Sequence, residues 1–260
     1  MRILFIGDVV GEPGRRILRE HLPSLKQQYT PDLTIANGEN LAGGLGATPE
    51  LVREITRHGV QIVTMGNHTW RRSELVKGID SLDNIVRPAN YPPASPGARC
   101  LVHTFAGGRR AAVLNLVGRI YMDANDCPFR SGLELVEQLR TQTTTIIVDM
   151  HAEATSEKVA MGWYLDGKVS AVLGTHTHIQ TADERILPQG TAYITDVGMT
   201  GPHDGIIGMR KEEVLTRFVT GVHSRFEVAT ENLQFHAVVV HIDDTNGRAL
   251  SIERISQHYG

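Results

Sequence analysis

The sequence predicts an α/β fold, and three observations carry that prediction. Short apolar runs alternate with amphipathic stretches of helical period, as in strand–helix–strand units. Several of the apolar runs end in Asp, Glu, Asn or His, where open α/β sheets bind ligands. Two further pairs of β-type runs flank Gly107-Gly108 and Asn246-Gly247, both hairpin turn signals.

Taken in order, Ile3–Ile6 reads as a buried strand. Gly14–Gln28 reads as a helix with Ile17, Leu18, Leu22 and Leu25 on one side. Leu33–Ala36 is the next strand. Thr48-Pro49-Glu50 opens a second helix, with a capping hydroxyl followed by proline in the first turn. That helix stops near His58-Gly59, where glycine suits the C-terminal position. Ile62–Met65 is a third strand. Leu101–Phe105 and Ala111–Leu116 form the first hairpin. Thr145–Met150 and Ala171–Leu173 are buried strands, and Phe235–Ile242 with Ala249–Ile255 form the second hairpin.

The 260 residues are 41% hydrophobic and 21% charged, an ordinary globular composition that excludes whole-chain disorder. No repeat, low-complexity segment or linker interrupts the chain, so residues 1–260 read as one domain. Runs such as Ile146–Val148 and Ala237–Val240 are far too short to cross a membrane. The formal charge of −3 gives no basic face for a long nucleic acid. The apolar start Ile3–Ile6 is too short for a signal peptide, and Cys100 and Cys127 make no zinc spacing. A cytoplasmic setting is expected. Nothing specifies an oligomeric state, and a homo-oligomer is compatible with the composition.

The polar strand ends are where chemistry is expected. Asp8 follows Leu4-Phe5-Ile6-Gly7. Glu39-Asn40 follows Leu33–Gly38, and Asn67-His68 follows Ile62–Gly66. His151 ends the run from Thr145, and His176 and His178 follow Val172-Leu173-Gly174-Thr175. Each element alone has a bland explanation as a turn former, cap or buried histidine. Their common address at strand ends makes a metal site the better reading. Gly174 permits a bent loop after the strand, so His176 and His178 could serve two adjacent metals. Oxygen and nitrogen donors without thiolate suit manganese, iron or zinc. Seven donors exceed one tetrahedral ion and suit two metals about 3.5–4 Å apart.

Gly7-Asp8, Glu39-Asn40, Gly66-Asn67-His68, His151 and Gly174-Thr175-His176-Thr177-His178, in this order, resemble the calcineurin-like metallophosphoesterase superfamily. The sequence is most similar to its YmdB-like bacterial branch, in Ile6–Gly11, Asn37–Asn40, His151–Lys158 and Thr200–Asp204. The resemblance implies two packed mixed β-sheets flanked by helices, an α/β/β/α sandwich. It also implies two divalent metal ions. Asp8, Glu39, Asn40 and His178 would hold the first, and Glu39, Asn67, His151 and His176 the second. His68 would be catalytic. The wider superfamily carries Asp-x-His at the first strand and a bridging Asp. Here those slots hold Val10 and Glu39. Asn40 would stand in for the missing imidazole, which favours iron or manganese over zinc.

The expected activity is a phosphodiesterase for small cyclic nucleotides, 2′,3′-cyclic and also 3′,5′-cyclic. Two divalent ions, two carboxylates and a bridging hydroxide leave a net charge of about +1, matched to a phosphodiester monoanion. The hydroxide would attack phosphorus in line, and His68 would protonate the departing oxygen. The alternatives are a phosphomonoesterase or nuclease on the same centre, or a slowly turning-over nucleotide sensor. Gly43-Gly44-Leu45-Gly46 lacks the lysine of a phosphate loop and reads as a flexible loop near the site. Glu153, Thr155 and Ser156 read equally as substrate contacts or as a helix start. His203-Asp204 is a candidate for the site rim, and the remaining histidines read as packing or surface residues.

Overall fold

The computed structural model describes residues 1–259. The first half runs β1 (Arg2–Ile6), β2 (Asp8–Val9), α1 (Gly11–Tyr29), β3 (Leu33–Asn37), α2 (Pro49–Arg57), β4 (Ile62–Thr64), α3 (Ser73–Gly78) and β5 (Ile85–Val86). Next come β6 (Cys100–Thr104), β7 (Arg110–Val117), α4 (Pro128–Arg140), β8 (Ile146–His151), α5 (Thr155–Leu165) and β9 (Ala171–Thr175). The chain ends with β10 (Arg185–Ile186), β11 (Ala192–Ile194), β12 (Met199–Pro202), α6 (Lys211–Thr220), β13 (Leu233–Ile242) and β14 (Ala249–Tyr259).

These strands make two mixed sheets. The first has the order β2-β12-β13-β1-β3-β4-β5, with β14 paired to β13. The second has the order β10-β11-β9-β8-β7-β6. Within the first, β1, β3, β4 and β5 are parallel. Within the second, β7, β8, β9 and β11 are parallel.

The period-2 alternation of buried strands explains the layering. Ile3, Phe5, Leu33 and Ile35 face Val113, Ile147 and Leu173 across the space between the sheets. Leu4 and Ile6 point the other way, onto Ile17, Leu18 and Leu22 of α1 and Val52 and Ile55 of α2. On the outer face of the second sheet, Leu114 and Val148 pack on Leu135, Val136 and Leu139 of α4 and on Met161 and Leu165 of α5. The layers therefore run helix, sheet, sheet, helix, as the resemblance implied. Both hairpins form, β6 with β7 and β13 with β14.

Element boundaries differ in places. α1 begins at Gly11 rather than Gly14, because Pro13 is accommodated in the first turn. The Thr48 side chain caps α2 by accepting from the Leu51 N–H at 3.4 Å, as expected. Among the described residues, no helix is long and apolar enough to cross a membrane. Cys100 and Cys127 are both free thiols.

Candidate metal centre

The carboxyl ends of β1, β3 and β4 meet those of β8 and β9. Gly7 lets β1 turn beneath the second half of the chain, since a Cβ there would lie 2.1 Å from the Gly198 carbonyl oxygen. Asp8 thereby starts β2 with its carboxylate fully buried. Glu39 and Asn40 are buried in the turn after β3. Gly66 precedes Asn67 for a steric reason: a Cβ would lie 2.3 Å from Glu39 Oε2 and 2.4 Å from His151 Nε2. His176 and His178 both take left-handed backbone conformations, with φ of 98° and 66°. The bend therefore lies at the histidines themselves. Gly174 is a strand residue, glycine because a Cβ would meet the Thr195 carbonyl oxygen.

All eight residues singled out in the sequence converge. Glu39 Oε1 lies 3.1 Å from His151 Nε2 and 3.2 Å from His68 Nδ1. Asn67 Oδ1 is 2.9 Å and His176 Nδ1 3.1 Å from the same His151 nitrogen. Glu39, His151 and His176 each offer one ligand atom, all within 4.8 Å of one another. Asn40 Nδ2 is 3.2 Å from His178 Nε2, which lies 3.8 Å from Asp8 Oδ1. Asn40 Oδ1 is 2.8 Å from His68 Nδ1.

Counting protons on the imidazoles shows what this arrangement is built for. The Thr175 hydroxyl donates to Asp149 Oδ1 at 2.6 Å, so it can only accept from His151 Nδ1–H, 2.8 Å away. Nε2 of His151 thus faces Glu39, Asn67 and His176. His176 lies 3.0 Å from Glu153 through its Nε2, which leaves Nδ1 as a lone pair. His178 donates Nδ1–H to the Ile207 carbonyl at 3.0 Å, leaving Nε2 free to bind. Asp8 Oδ1 is buried without any hydrogen-bond partner. Converging ring nitrogens and oxygens, beside an orphaned carboxylate oxygen, fit divalent cations.

The titration behaviour has the same cause. Burial pushes His151 down, but Glu39, Asp8 and Asp149 outweigh it and raise its pKa to about 9. The carboxylates that would keep a second proton on this ring also favour a cation that takes the proton's place. Burial and the neighbouring His151 lower His176 to about 3, which keeps that ring neutral, and burial also lowers His178. Burial would raise Glu39, yet His151 and His68 hold it well below the usual carboxylate range. Asp8 is raised well above it, by burial first.

A second layer of residues, missed in the sequence, holds these groups. Thr177 donates both its N–H, at 3.1 Å, and its hydroxyl, at 2.7 Å, to Asp196 Oδ2. Lys158 Nζ completes this knot 2.7 Å from the same oxygen, and both charged side chains are buried. Asp149 was the one readable signal, a carboxylate inside the apolar run Thr145–Met150.

Other candidates resolve differently. The Gly43–Gly46 loop is pinned rather than free: Arg72 donates to Ala42 O at 2.6 Å and Leu45 O at 2.9 Å. Glu153 orients His176, and Thr155 and Ser156 begin α5. His203 packs edge-to-face on His236, and Asp204 pairs with Lys211 at 2.8 Å, so this pair turns away from the centre.

Known proteins resemble this chain over nearly its whole length. The family of YmdB-like proteins matches residues 4–255. A 2′,3′-cyclic-nucleotide 2′-phosphodiesterase of Bacillus subtilis is 52% identical, over 98% of this chain and 96% of that protein. A protein from Thermus thermophilus, solved as a hypothetical protein, superposes with a TM-score of 0.94 at 43% identity, covering 100% of both chains. A novel phosphatase from Mycoplasma pneumoniae superposes with a TM-score of 0.93 at 35% identity, covering 99% of this chain and 93% of that one.

Proposed function

The chain belongs to the YmdB-like family, whose metallophosphoesterase character implies divalent metal ions, and on that premise we propose that it is a dinuclear-metal phosphodiesterase for small cyclic nucleotides. The observation that carries this reading is the convergence of His, Asn and carboxylate ligand atoms around Glu39. The 2′,3′-cyclic mononucleotides are the first substrates to expect, from the activity named for the Bacillus subtilis relative. The 3′,5′-cyclic mononucleotides come second.

Asp8, Glu39, Asn40 and His178 would hold one ion, and Glu39, Asn67, His151 and His176 the other, with Glu39 shared. Turning over the Asn40 amide exchanges its oxygen and nitrogen without moving a heavy-atom position. That brings Oδ1 to the His178 side and leaves Glu39 Oε1 to accept from His68. Bound divalent ions supply charge neutralisation at the phosphoryl oxygens and an acidified water. The hard oxygen donors favour iron or manganese, with zinc also accommodated.

The protein's own work is positioning and proton transfer. Glu153, Ile207 and the Thr175–Asp149 pair fix which nitrogen of each histidine faces inward. His68 holds its Nδ1 against Glu39 Oε1 and is partly exposed, so that its Nε2 would protonate the departing ribose oxygen. The two free thiols agree with a reducing, cytoplasmic setting.

The test pairs metal analysis of freshly purified protein with turnover of 2′,3′-cyclic and 3′,5′-cyclic nucleotides, a phosphomonoester and an oligonucleotide. Two metals per chain with 2′,3′-cyclic turnover is the expected result. Preference for the monoester or the oligonucleotide would overturn the assignment. Tight nucleotide binding without multiple turnover would make the protein a sensor.

A further inference from the structure

Next to the metal centre lies a cleft of about 550 Å³ whose lining includes Asn67, Trp70, Arg71, Tyr91, Asp123 and Asn125. Asn67 belongs to both sites, since its Oδ1 is 2.9 Å from His151 Nε2. A ligand whose phosphate sits at the metals therefore has this cleft within reach of its other end. The volume lies in the range of small-ligand pockets.

The lining has the chemistry of a base-binding site. Tyr91 is 7% exposed, and its hydroxyl donates to the Gly66 carbonyl at 3.0 Å, which locks the ring in place. Trp70 lies beside it, with ring centroids 6.0 Å apart and planes tilted by 35°. Trp70 is only partly buried. The partly exposed Trp70, backed by the locked Tyr91 ring, is a preset aromatic platform for a flat heterocycle, at little entropic cost. Polar groups ring these faces. The Asp123 carboxylate is exposed and has no ion-pair partner among the described residues. The Asn125 amide nitrogen donates to the Asp123 carbonyl at 2.9 Å, which leaves Asn125 Oδ1 free to accept. A carboxylate with a neighbouring amide oxygen is an acceptor-rich edge. Among nucleobases, guanine presents two adjacent donors, N1–H and the exocyclic amine, to such an edge.

We propose that this cleft is the nucleobase subsite of the enzyme, that the base stacks against Trp70, which Tyr91 holds in place, and that Asp123 selects guanine. The proposal rests on the phosphodiesterase reading and deepens it.

The experiment compares kcat and KM for guanosine, adenosine and cytidine 2′,3′-cyclic phosphates and for 1-O-methylribose 2′,3′-cyclic phosphate, which has no base. The wild-type protein should prefer guanosine. Trp70→Ala should raise KM for all three nucleotides by roughly 5- to 150-fold, the range of one lost base stack. It should leave the base-free substrate within about twofold. Trp70→Phe should recover most of the loss. Asp123→Asn, at an exposed position that does not threaten folding, should erase the guanosine preference and spare the other substrates. Equal losses on base-containing and base-free substrates would overturn the subsite, as would a wild-type enzyme indifferent to the base. If no cyclic phosphate is turned over, the phosphodiesterase reading fails by itself. Calorimetric binding of guanosine 3′-monophosphate against ribose 3-phosphate then decides the subsite. Base-dependent binding lost in Trp70→Ala supports it, and equal binding of the two overturns it.

Discussion

Asp149 reaches the imidazole of His151 through a single hydroxyl. Thr175 Oγ1 is 2.6 Å from Asp149 Oδ1 and 2.8 Å from His151 Nδ1, and all three side chains are fully buried. The carboxylate thereby fixes the Nδ1–H tautomer of a proposed ligand without touching it. Such outer partners typically account for 10–100-fold in metal affinity. Thr175→Val should lower affinity at one of the two metal positions by about that factor, and Thr175→Ser should restore it. Titration of the metal-free protein with manganese checks both.

Lys158 and Asp196 form an ion pair that is 1% and 0% exposed. Removing one charge from such a pair leaves the other buried and uncompensated, at a cost of about 3–5 kcal/mol. Lys158→Met should lose that much unfolding free energy in urea. A loss below about 1 kcal/mol would mean that water or another cation replaces the ammonium.

Glu39 is the proposed shared ligand. Glu39→Gln keeps the shape and removes the charge that raises His151. Metal content and turnover should fall together. A variant that retains two tightly held metals and normal turnover would refute the bridging role.

For His68, general acid catalysis typically contributes 10²–10⁴-fold. His68→Ala should keep both metals and lose about that factor in kcat on a cyclic nucleotide, whose leaving group is a poor one. On an activated aryl diester the loss should be much smaller. Equal losses on the two substrates would make His68 a charge stabiliser, and loss of a metal would make it a ligand.

His236 provides a pH prediction away from the centre. It is 7% exposed, and its Nδ1 has no hydrogen-bond partner. Burial, then the nearby His203 and His258, lower its pKa to about 4, with only Asp196 opposing. The unfolded chain, with an ordinary histidine, takes up the proton first as pH falls. The neutral ring's stabilisation is therefore complete above about pH 6.5 and is lost as the pH falls toward 4, by roughly 3 kcal/mol in all. His236→Gln should flatten the stability profile over that interval, measured by urea unfolding at fixed metal content.

The sequence by itself determined the strand–helix alternation, both hairpins and every residue proposed for the metal centre. Those signals are local: apolar alternation, cap and turn residues, and polar side chains placed where an apolar run stops. Tertiary structure decided the rest, because it depends on partners distant in sequence. Nothing local tells that Ile3 and Phe5 face the second sheet while Leu4 and Ile6 face helices. The sequence leaves α5 as one of two alternatives at Thr155, because its buried side carries Glu157 and Lys158, which break the apolar stripe. Their partners, the Arg119 and Ile120 amides and Asp196, come from loops that only folding brings near. The direction of each imidazole was equally hidden. It is set by Glu153, Thr175 and Ile207 and by left-handed backbone at His176 and His178, and such a conformation persists only where surrounding contacts hold it.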